Sequence, residues 1–408
     1  MDSTSDTKNI QTDCCIAGGG PAGIMLGFLL VRAGVDVTIL EKWPDFFRDF
    51  RGDTIHPSTM DILNELGLLD EFLKLPHQEI PRVVAAIGDQ EITIADFEHL
   101  HVRCPFLGFM PQWDFLNFIA EYGRKFSNFH LLMETEALDL IYENGKATGL
   151  TARNSSGTFD IRAKLVVGAD GRHSVVREKS HLPNQSLGAP MDVLWFRISR
   201  KKSDPVPVLG RLERGEMMIM IDRDDYWQCG FIIPKGNFEQ TKQQGLGSLH
   251  TRILDLAPFL ESRSQEISDW SQVKLLSVAV ERLSQWYQDG LICIGDAAHA
   301  MSPIGGVGIN LAIQDAVAAA NILIPAFRRG GPKLSDLQAI QKRRQLPTKI
   351  IQRMQIYIQN HLIYHVVAGD LKLQVPWFLK LLSRFPALRR IPARMIGVGF
   401  RPEHVTQK

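Results

Sequence analysis

Residues 13–24 read Asp13-Cys14-Cys15-Ile16-Ala17-Gly18-Gly19-Gly20-Pro21-Ala22-Gly23-Ile24. Asp13 to Ala17 has the apolar character of a short buried strand. Ile24 to Ala33 carries apolar residues on every face, as a buried helix does, and Gly34 stands where a helix end takes a left-handed residue. Val35 to Leu40 alternates toward a second strand, closed by Glu41. The whole is a βαβ unit around G-x-G-x-x-G. Gly18 permits the tight turn, Gly20 lets a pyrophosphate approach a backbone without Cβ, and Gly23 lets the helix lie close on the strand. Pro21 suits the first helical turn, and the helix start at Ala22 and Gly23 offers unpaired amides to phosphate. Glu41, 23 residues after Gly18 and followed by Lys42, is spaced to accept hydrogen bonds from an adenosine ribose. The segment predicts a dinucleotide site without separating FAD from NAD.

The rest of the composition narrows the class. The chain has 408 residues, 45% of them hydrophobic, enough for two or three domains without disulfides or metals. Its 46 Lys and Arg against 45 Asp and Glu leave a net charge of +1, which excludes nucleic-acid binding through bulk positive charge. Cys14, Cys15, Cys104, Cys229 and Cys293 are dispersed, with no CxxC pair, and read as buried free thiols. The twelve histidines show no metal-ligand spacing. The polar N-terminal residues are no signal peptide, and no uninterrupted apolar run reaches the ~18 residues of a membrane span, so a cytoplasmic chain is expected.

Two further strand-and-loop motifs follow. Leu165-Val166-Val167-Gly168 runs into Ala169-Asp170-Gly171-Arg172-His173-Ser174. Leu291-Ile292-Cys293-Ile294 runs into Gly295-Asp296-Ala297-Ala298-His299, then Pro303-Ile304-Gly305-Gly306-Val307-Gly308-Ile309-Asn310 and an apolar helix from Leu311 to Phe327.

The three motifs, in this order and spacing from about Asp13 to about Leu323, resemble the group A flavoprotein monooxygenases, the p-hydroxybenzoate hydroxylase family. The resemblance implies FAD, reduced transiently by NADPH or NADH. It implies an α/β fold: a doubly wound FAD-binding domain, a β-sheet substrate domain and a helical C-terminal tail. Gly18, Gly20 and Gly23 would hold the pyrophosphate, Glu41 the ribose and Asp296 the ribitol. Pro303 would lie against the isoalloxazine, with Gly306 in the same loop and Gly295 before Asp296. Gly308, Ile309 and Asn310 would present amides to the flavin N1 and O2 edge, stabilising the anion of reduced flavin. Arg51 falls where the family keeps an arginine near FAD, and Gln112 where it keeps a ribitol ligand. Asp170 would act indirectly near the pyrophosphate, or simply cap the turn to Ser174. Val307 departs from the Gln or Arg of many relatives, which puts that side chain's contact in doubt but not the backbone's. A second G-x-G-x-x-G is absent, unlike two-dinucleotide reductases, and so is the W-x-W-x-I-P segment of flavin halogenases.

Residues 187–284 change texture, with alternating segments Met191 to Ile198, Met217 to Ile221 and Tyr226 to Ile233. They predict an antiparallel sheet beside the first domain, joined by strands from Val83 to Phe97 and Phe106 to Met110, and the resemblance implies that it roofs the substrate cavity. Trp195, Arg197, Met218, Met220 and Trp227 are candidate cavity liners, or ordinary sheet core. No catalytic acid or base stands out; the resemblance assigns oxygen transfer to a flavin C4a-hydroperoxide. His56, in a segment that lies near the flavin in the family it resembles, reads as structural, with phenol activation the alternative, and His299 reads as packing around its motif. Beyond Arg343, apolar helices carry His361 and His365, and Arg384, Arg389, Arg390, Arg394 and Arg401 interleave with apolar residues. That tail is expected either to pack on the FAD domain or to touch an anionic membrane. The expected parts are residues 1–80, 111–185 and 285–345 for FAD, 81–110 and 186–284 for substrate, and 346–408 for the tail. The functional expectation is an NAD(P)H- and O2-dependent hydroxylation or epoxidation of an aromatic or lipophilic molecule, by a monomer or dimer. FAD-linked oxidases, dehydrogenases or reductases, and a prenyl-protein escort, are the alternatives.

Overall fold

A computed structural model describes residues 9–47, 53–88, 90–205, 209–213, 215–363 and 377–406; Arg51 and His365 lie outside them. Five parallel strands set the site: β1 (Ile10–Ala17), β2 (Val37–Leu40), β3 (Phe129–Leu132), β4 (Gly157–Gly168) and β5 (Leu291–Cys293). Their spatial order is β5-β4-β1-β2-β3. Such strands are buried on both faces, which is why their sequences are apolar without alternation. Cys14 and Cys15 point to opposite faces and both are buried, in separate apolar clusters. The chain leaves β1 for β2 through helix α1 (Pro21–Arg32), while β4 joins β1 on the other side. The carboxyl ends of β1 and β4 therefore flank a topological switch point, where open α/β sheets bind ligands.

Helix α2 (Gly308–Arg328) packs on α1 within the same core. By length and composition alone the stretch Ile304–Arg328 could cross a membrane, at mean hydropathy 1.6. It is instead a core helix, 83% buried over its most apolar window.

A seven-stranded sheet stands beside this domain. Its order is Lys274–Leu276, Met191–Ser199, Tyr226–Pro234, Glu216–Asp222, Gly210–Glu213, Arg82–Ile87 and Gln90–Asp96. Leu107–Phe109 does not join it, as the sequence had suggested; it pairs with Thr54–Ile55 and Gln78–Ile80 in a small sheet of its own. Helix α3 (Leu334–Ile358) runs through the boundary expected at 345/346, because its buried Leu337, Ile340, Arg344, Thr348 and Ile351 form one continuous inward stripe. Beyond it lie α4 (Trp377–Arg384) and α5 (Arg390–Gly397). Leu379 packs with Ile87, Ile92 and Leu212, so this part of the tail rests on the seven-stranded sheet rather than on the FAD domain.

The tail's end returns to α2 and α3 through buried charges. Arg344 Nε donates to Asp315 Oδ1 at 2.8 Å, and Arg344 Nη1 donates to Glu403 Oε1 at 3.2 Å. His299 Nε2 lies 2.5 Å from Asp315 Oδ2, which also accepts the Gly295 amide at 3.1 Å. Burial alone would raise the Asp315 carboxyl, but His299 and Arg344 outweigh it and hold the group below the usual carboxylate range. Replacing Arg344 by Met leaves buried carboxylates without their cation, so denaturant unfolding should show a loss of about 3–5 kcal/mol. The five cysteines are free and buried, and burial pushes the Cys15 thiol up to about 12. A thiol titration should find none reactive in the native protein and all five after unfolding.

Candidate cofactor and substrate site

The crevice begins where two loops touch. Gly18 has φ +102°, and a Cβ there would stand 2.4 Å from the Ala169 carbonyl oxygen. The Ala169 amide donates to the Ala17 carbonyl at 2.8 Å, fastening the Asp-Gly loop to the glycine loop. At Gly23 a Cβ would lie 2.0 Å from the Gly18 carbonyl, so α1 can approach β1 only with glycine there. Gly20 differs: a Cβ would meet nothing nearer than 4.0 Å, which leaves its backbone open on the crevice side. Gly20 caps α1 without a side-chain hydrogen bond, no acid occupies the first turn, and Pro21 is the first helical residue. The first-turn amides therefore face the crevice uncapped, with the positive end of the helix dipole behind them.

Glu41, at the end of β2, accepts the Gly19 amide at 3.1 Å and the Trp43 amide at 3.2 Å. It thus holds the glycine loop from the neighbouring strand. Lys42 beside it is exposed, 5.4 Å from the Trp43 ring centroid. Asp170 is turned into its own loop: it accepts from Ser174 Oγ and from the Val176 amide at 3.2 Å, and Ser174 caps the next helical turn. Burial raises the Asp170 carboxyl against those hydrogen bonds. Arg177 then bridges to the third motif, 3.5 Å from Glu281 and 3.4 Å from the Ala297 carbonyl.

That motif wedges between the helices. Gly295 has φ +58°, and a Cβ would sit 3.1 Å from Ala22 Cβ and 3.4 Å from Ala312 Cβ. Asp296 is the one residue from Leu291 to Ala300 that is not buried, as suits a carboxylate lining a cleft. Pro303 and Ile304 are half-buried, and Gly305 and Gly306 take φ +80° and +62° in succession, which only glycine does readily. Gly308, Ile309 and Asn310 form the first turn of α2, again with no side-chain cap and no acid. Two uncapped helix starts thus open on one crevice. Val307, where relatives were expected to carry Gln or Arg, is buried with Met301, Leu311 and Ile351, so its side chain serves packing against α3.

Residues 53–59, of which the sequence had singled out only His56, support this loop from below. A Cβ on Gly306 would meet Thr54 Oγ1 at 2.8 Å. Ser58 and Thr59 both donate to the Asn310 side-chain oxygen, at 2.8 and 2.9 Å. His56 is fully buried, with Nε2 3.0 Å from the Gly306 carbonyl oxygen and Nδ1 2.7 Å from that of Ile396. Ser58 also donates to the Gly397 carbonyl at 3.0 Å. The local signal was an Asp-Thr-Ile-His-Pro-Ser-Thr run before a helix; its partners some 250 residues away gave none.

The sheet's two faces sort the candidate liners. Met218, Met220 and Trp227 pack behind the sheet against Leu249, Ile253 and Leu256, so they do not face the flavin side. Alternation puts Val193, Trp195, Ile221 and Ile232 on the opposite face, with Ile219, Ile304 and Ile396 packed against them. Gly230 makes room for Trp195: a Cβ there would be 3.0 Å from the indole. The polar corner of this face was not foreseen. Asp53 accepts from Gln228 Nε2 at 2.5 Å and lies 2.9 Å from Arg223, whose Nε donates to Gln228 at 3.3 Å. Burial raises the Asp53 carboxyl, with Arg223 and Gln228 opposing it. Gln112 starts the helix Gln112–Gly123, following Met110, whose amide donates to the Asp53 carbonyl.

This is the architecture of a dinucleotide-binding oxidoreductase. A family model described as "FAD binding domain" matches residues 11–354. The 6-methylpretetramide 4-monooxygenase of Streptomyces rimosus is 30% identical over 94% of this chain and 92% of its own length. The para-nitrophenol 4-monooxygenase of Pseudomonas sp. strain WBC-3 is 24% identical over 81% of this chain and 82% of its own. The crystal structure of p-nitrophenol 4-monooxygenase PnpA from Pseudomonas putida DLL-E4 shares the fold at TM-score 0.76 and 20% identity, over 94% of this chain and 97% of that one. PqsL, a probable FAD-dependent monooxygenase from Pseudomonas aeruginosa, does so at 0.74 and 21%, over 88% and 99%. The chain belongs to the FAD-dependent aromatic monooxygenases, the group A flavoprotein enzymes. The bare backbone at Gly20 and the two uncapped helix starts fit FAD, whose pyrophosphate and flavin edge are the anionic parts.

His56 supplies a pH test. Burial lowers its pKa, and the two carbonyls oppose that without prevailing. The unfolded chain then binds a proton near pH 6.5 that the folded chain refuses, so stability is complete above about 6.5 and falls as pH drops toward the folded pKa. Urea midpoints should fall in that window for the wild type, and His56→Gln should flatten the slope.

Proposed function

We propose that this enzyme uses NADPH or NADH and O2 to hydroxylate or epoxidise an aromatic or lipophilic small molecule held between the Pro303–Gly308 loop and the apolar face of the seven-stranded sheet. The observation that carries this reading is the apposition of Ile304 to Trp195, Ile221 and Ile232, beside an uncapped helix start. FAD, when bound, accepts reducing equivalents from the nicotinamide and activates oxygen for transfer. The chain's own residues bind, orient and exclude water.

In this reading the amides around Gly18, Gly20, Pro21, Ala22 and Gly23 hold the pyrophosphate, with Glu41 and Lys42 near the adenosine ribose. Asp296 and Gln112 take the ribitol, Arg51 lies beside the entering nicotinamide, and Asp170 steadies the loop that backs the pyrophosphate. The dipole of α2, presented through Gly308, Ile309 and Asn310, stabilises negative charge on the flavin's pyrimidine edge. Pro303 and Gly306 shape the loop under the ring, and Gly295 brings Asp296 to it. The apolar face around Trp195 orients an aromatic ring, and the Asp53–Arg223–Gln228 corner supplies hydrogen-bonding groups for a polar substituent.

Two measurements test the proposal. The purified enzyme should be yellow, and NAD(P)H oxidation should consume O2 and accelerate with an accepted substrate; 6-methylpretetramide, named for the 30% identical relative, is the first compound to try. Stoichiometric hydrogen peroxide without hydroxylated product, across a panel of aromatic compounds, would instead mark an oxidase. Trp195→Ala should keep the flavin yet lower product formed per NAD(P)H consumed, with kcat/KM falling about 10- to 100-fold, the cost of losing a close aromatic contact that positions substrate.

A further inference from the structure

We propose that the exposed side of the C-terminal segment, Lys380 to Arg401, is a docking surface for an anionic lipid bilayer. From residue 371 to residue 402 the sequence holds Lys372, Lys380, Arg384, Arg389, Arg390, Arg394 and Arg401 and no Asp or Glu, in a chain of net charge +1. Arg389 is committed within the segment, donating to the Leu382 and Ser383 carbonyls at 3.0 and 3.3 Å. Lys380, Arg384, Arg390, Arg394 and Arg401 are exposed, and none is ion-paired among the described residues.

Between those cations stand large apolar side chains that the fold leaves outside. Leu381 is 40% exposed, Phe385 51%, Ile391 58% and Phe400 46%. The inner side of the same segment is firmly seated. Leu379 and Ala393 are buried, a Cβ on Gly397 would meet Phe97 at 3.0 Å, and the Ile396 and Gly397 carbonyls accept from or abut His56 and Ser58. The outward residues are therefore held in place with no partner among the described residues.

Cations and large apolar groups alternating on one fixed surface suit the headgroup boundary of an anionic bilayer, where both are satisfied at once. Nucleic acid would engage the arginines and leave Phe385 and Ile391 in water. A second copy, paired through the same surface, would set like charges against each other. The segment lies on Gln90–Asp96, the edge strand of the seven-stranded sheet, so docking brings the substrate side of the enzyme to the lipid. Lipid binding stands apart from the reaction proposed above and is read without turnover.

The test is co-sedimentation of the FAD-loaded full chain with vesicles of pure phosphatidylcholine and of equal parts phosphatidylcholine and phosphatidylglycerol. The protein should pellet with the mixed vesicles, stay in solution with the neutral ones, and detach as salt rises. Arg390→Glu/Arg394→Glu and Phe385→Ser/Ile391→Ser should each weaken partitioning about tenfold or more, while keeping flavin absorbance and monomer elution as proof of folding. Failure to pellet with either vesicle overturns the proposal, as does equal binding to both. Binding that tRNA abolishes and Phe385→Ser/Ile391→Ser leaves unchanged would mean charge alone, and self-association lost in that variant would mean a second copy; either result also overturns it.

Discussion

At the switch point, main chain meets main chain too closely for any side chain. The Gly18 turn abuts the Ala169 carbonyl, the start of α1 presses on the Gly18 carbonyl at Gly23, and Gly295 slots between Ala22 and Ala312. These three contacts draw the three motifs to one point and aim α1 and α2 into the same space. The sheet order alone would put a crevice there; the bare backbones give it a depth that a pyrophosphate can use. The electrostatics follow from the packing, because helix starts with no side-chain cap and no acid in the first turn leave their amides for a ligand.

The flavin loop is held from the side opposite the crevice. His56 reaches the Gly306 carbonyl, Ser58 and Thr59 fix Asn310, and Asp315 ties α2 to Gly295 and His299. His56 and Ser58 also contact the tail, at Ile396 and Gly397, and Asp315 is linked to it through the Arg344–Glu403 pair. The C-terminal segment is thus continuous with the site's foundation. A loop with two successive left-handed glycines has little stiffness of its own, and this scaffold supplies it.

Much of the dinucleotide domain was legible because its chemistry is local. The strand-glycine-helix pattern, the acid at the end of β2 and the apolar strands before Asp170 and Asp296 each lie within a few dozen residues, and the structure has strands and helices at those positions. The substrate sheet was legible as alternating strands, but not its orientation. Met218 and Trp227 belong to the helix-covered face, and period-two alternation says which residues share a face without saying which face is inside. The Leu107–Phe109 strand was misplaced for a related reason, since pairing partners are a long-range property. Asp315 was visible only as an acid inside an apolar helix; its meaning depends on Arg344 and His299, which local spacing does not connect.

The tie between Glu403 and Arg344 has a consequence for the order of events in synthesis. The strand Ile10–Ala17 pairs with residues 157–168, and the loop that completes the crevice comes near residue 300. Its supports at Ile396, Gly397 and Glu403 follow that loop in the chain and so are made after it. A chain that still lacks those residues cannot assemble the whole cradle, since late contacts of large sequence separation close it. Flavin capture in its final geometry therefore waits until those residues have been made and have folded back. Until then the long apolar helix α2 lacks the α3 and tail contacts that cover one side of it in the finished fold.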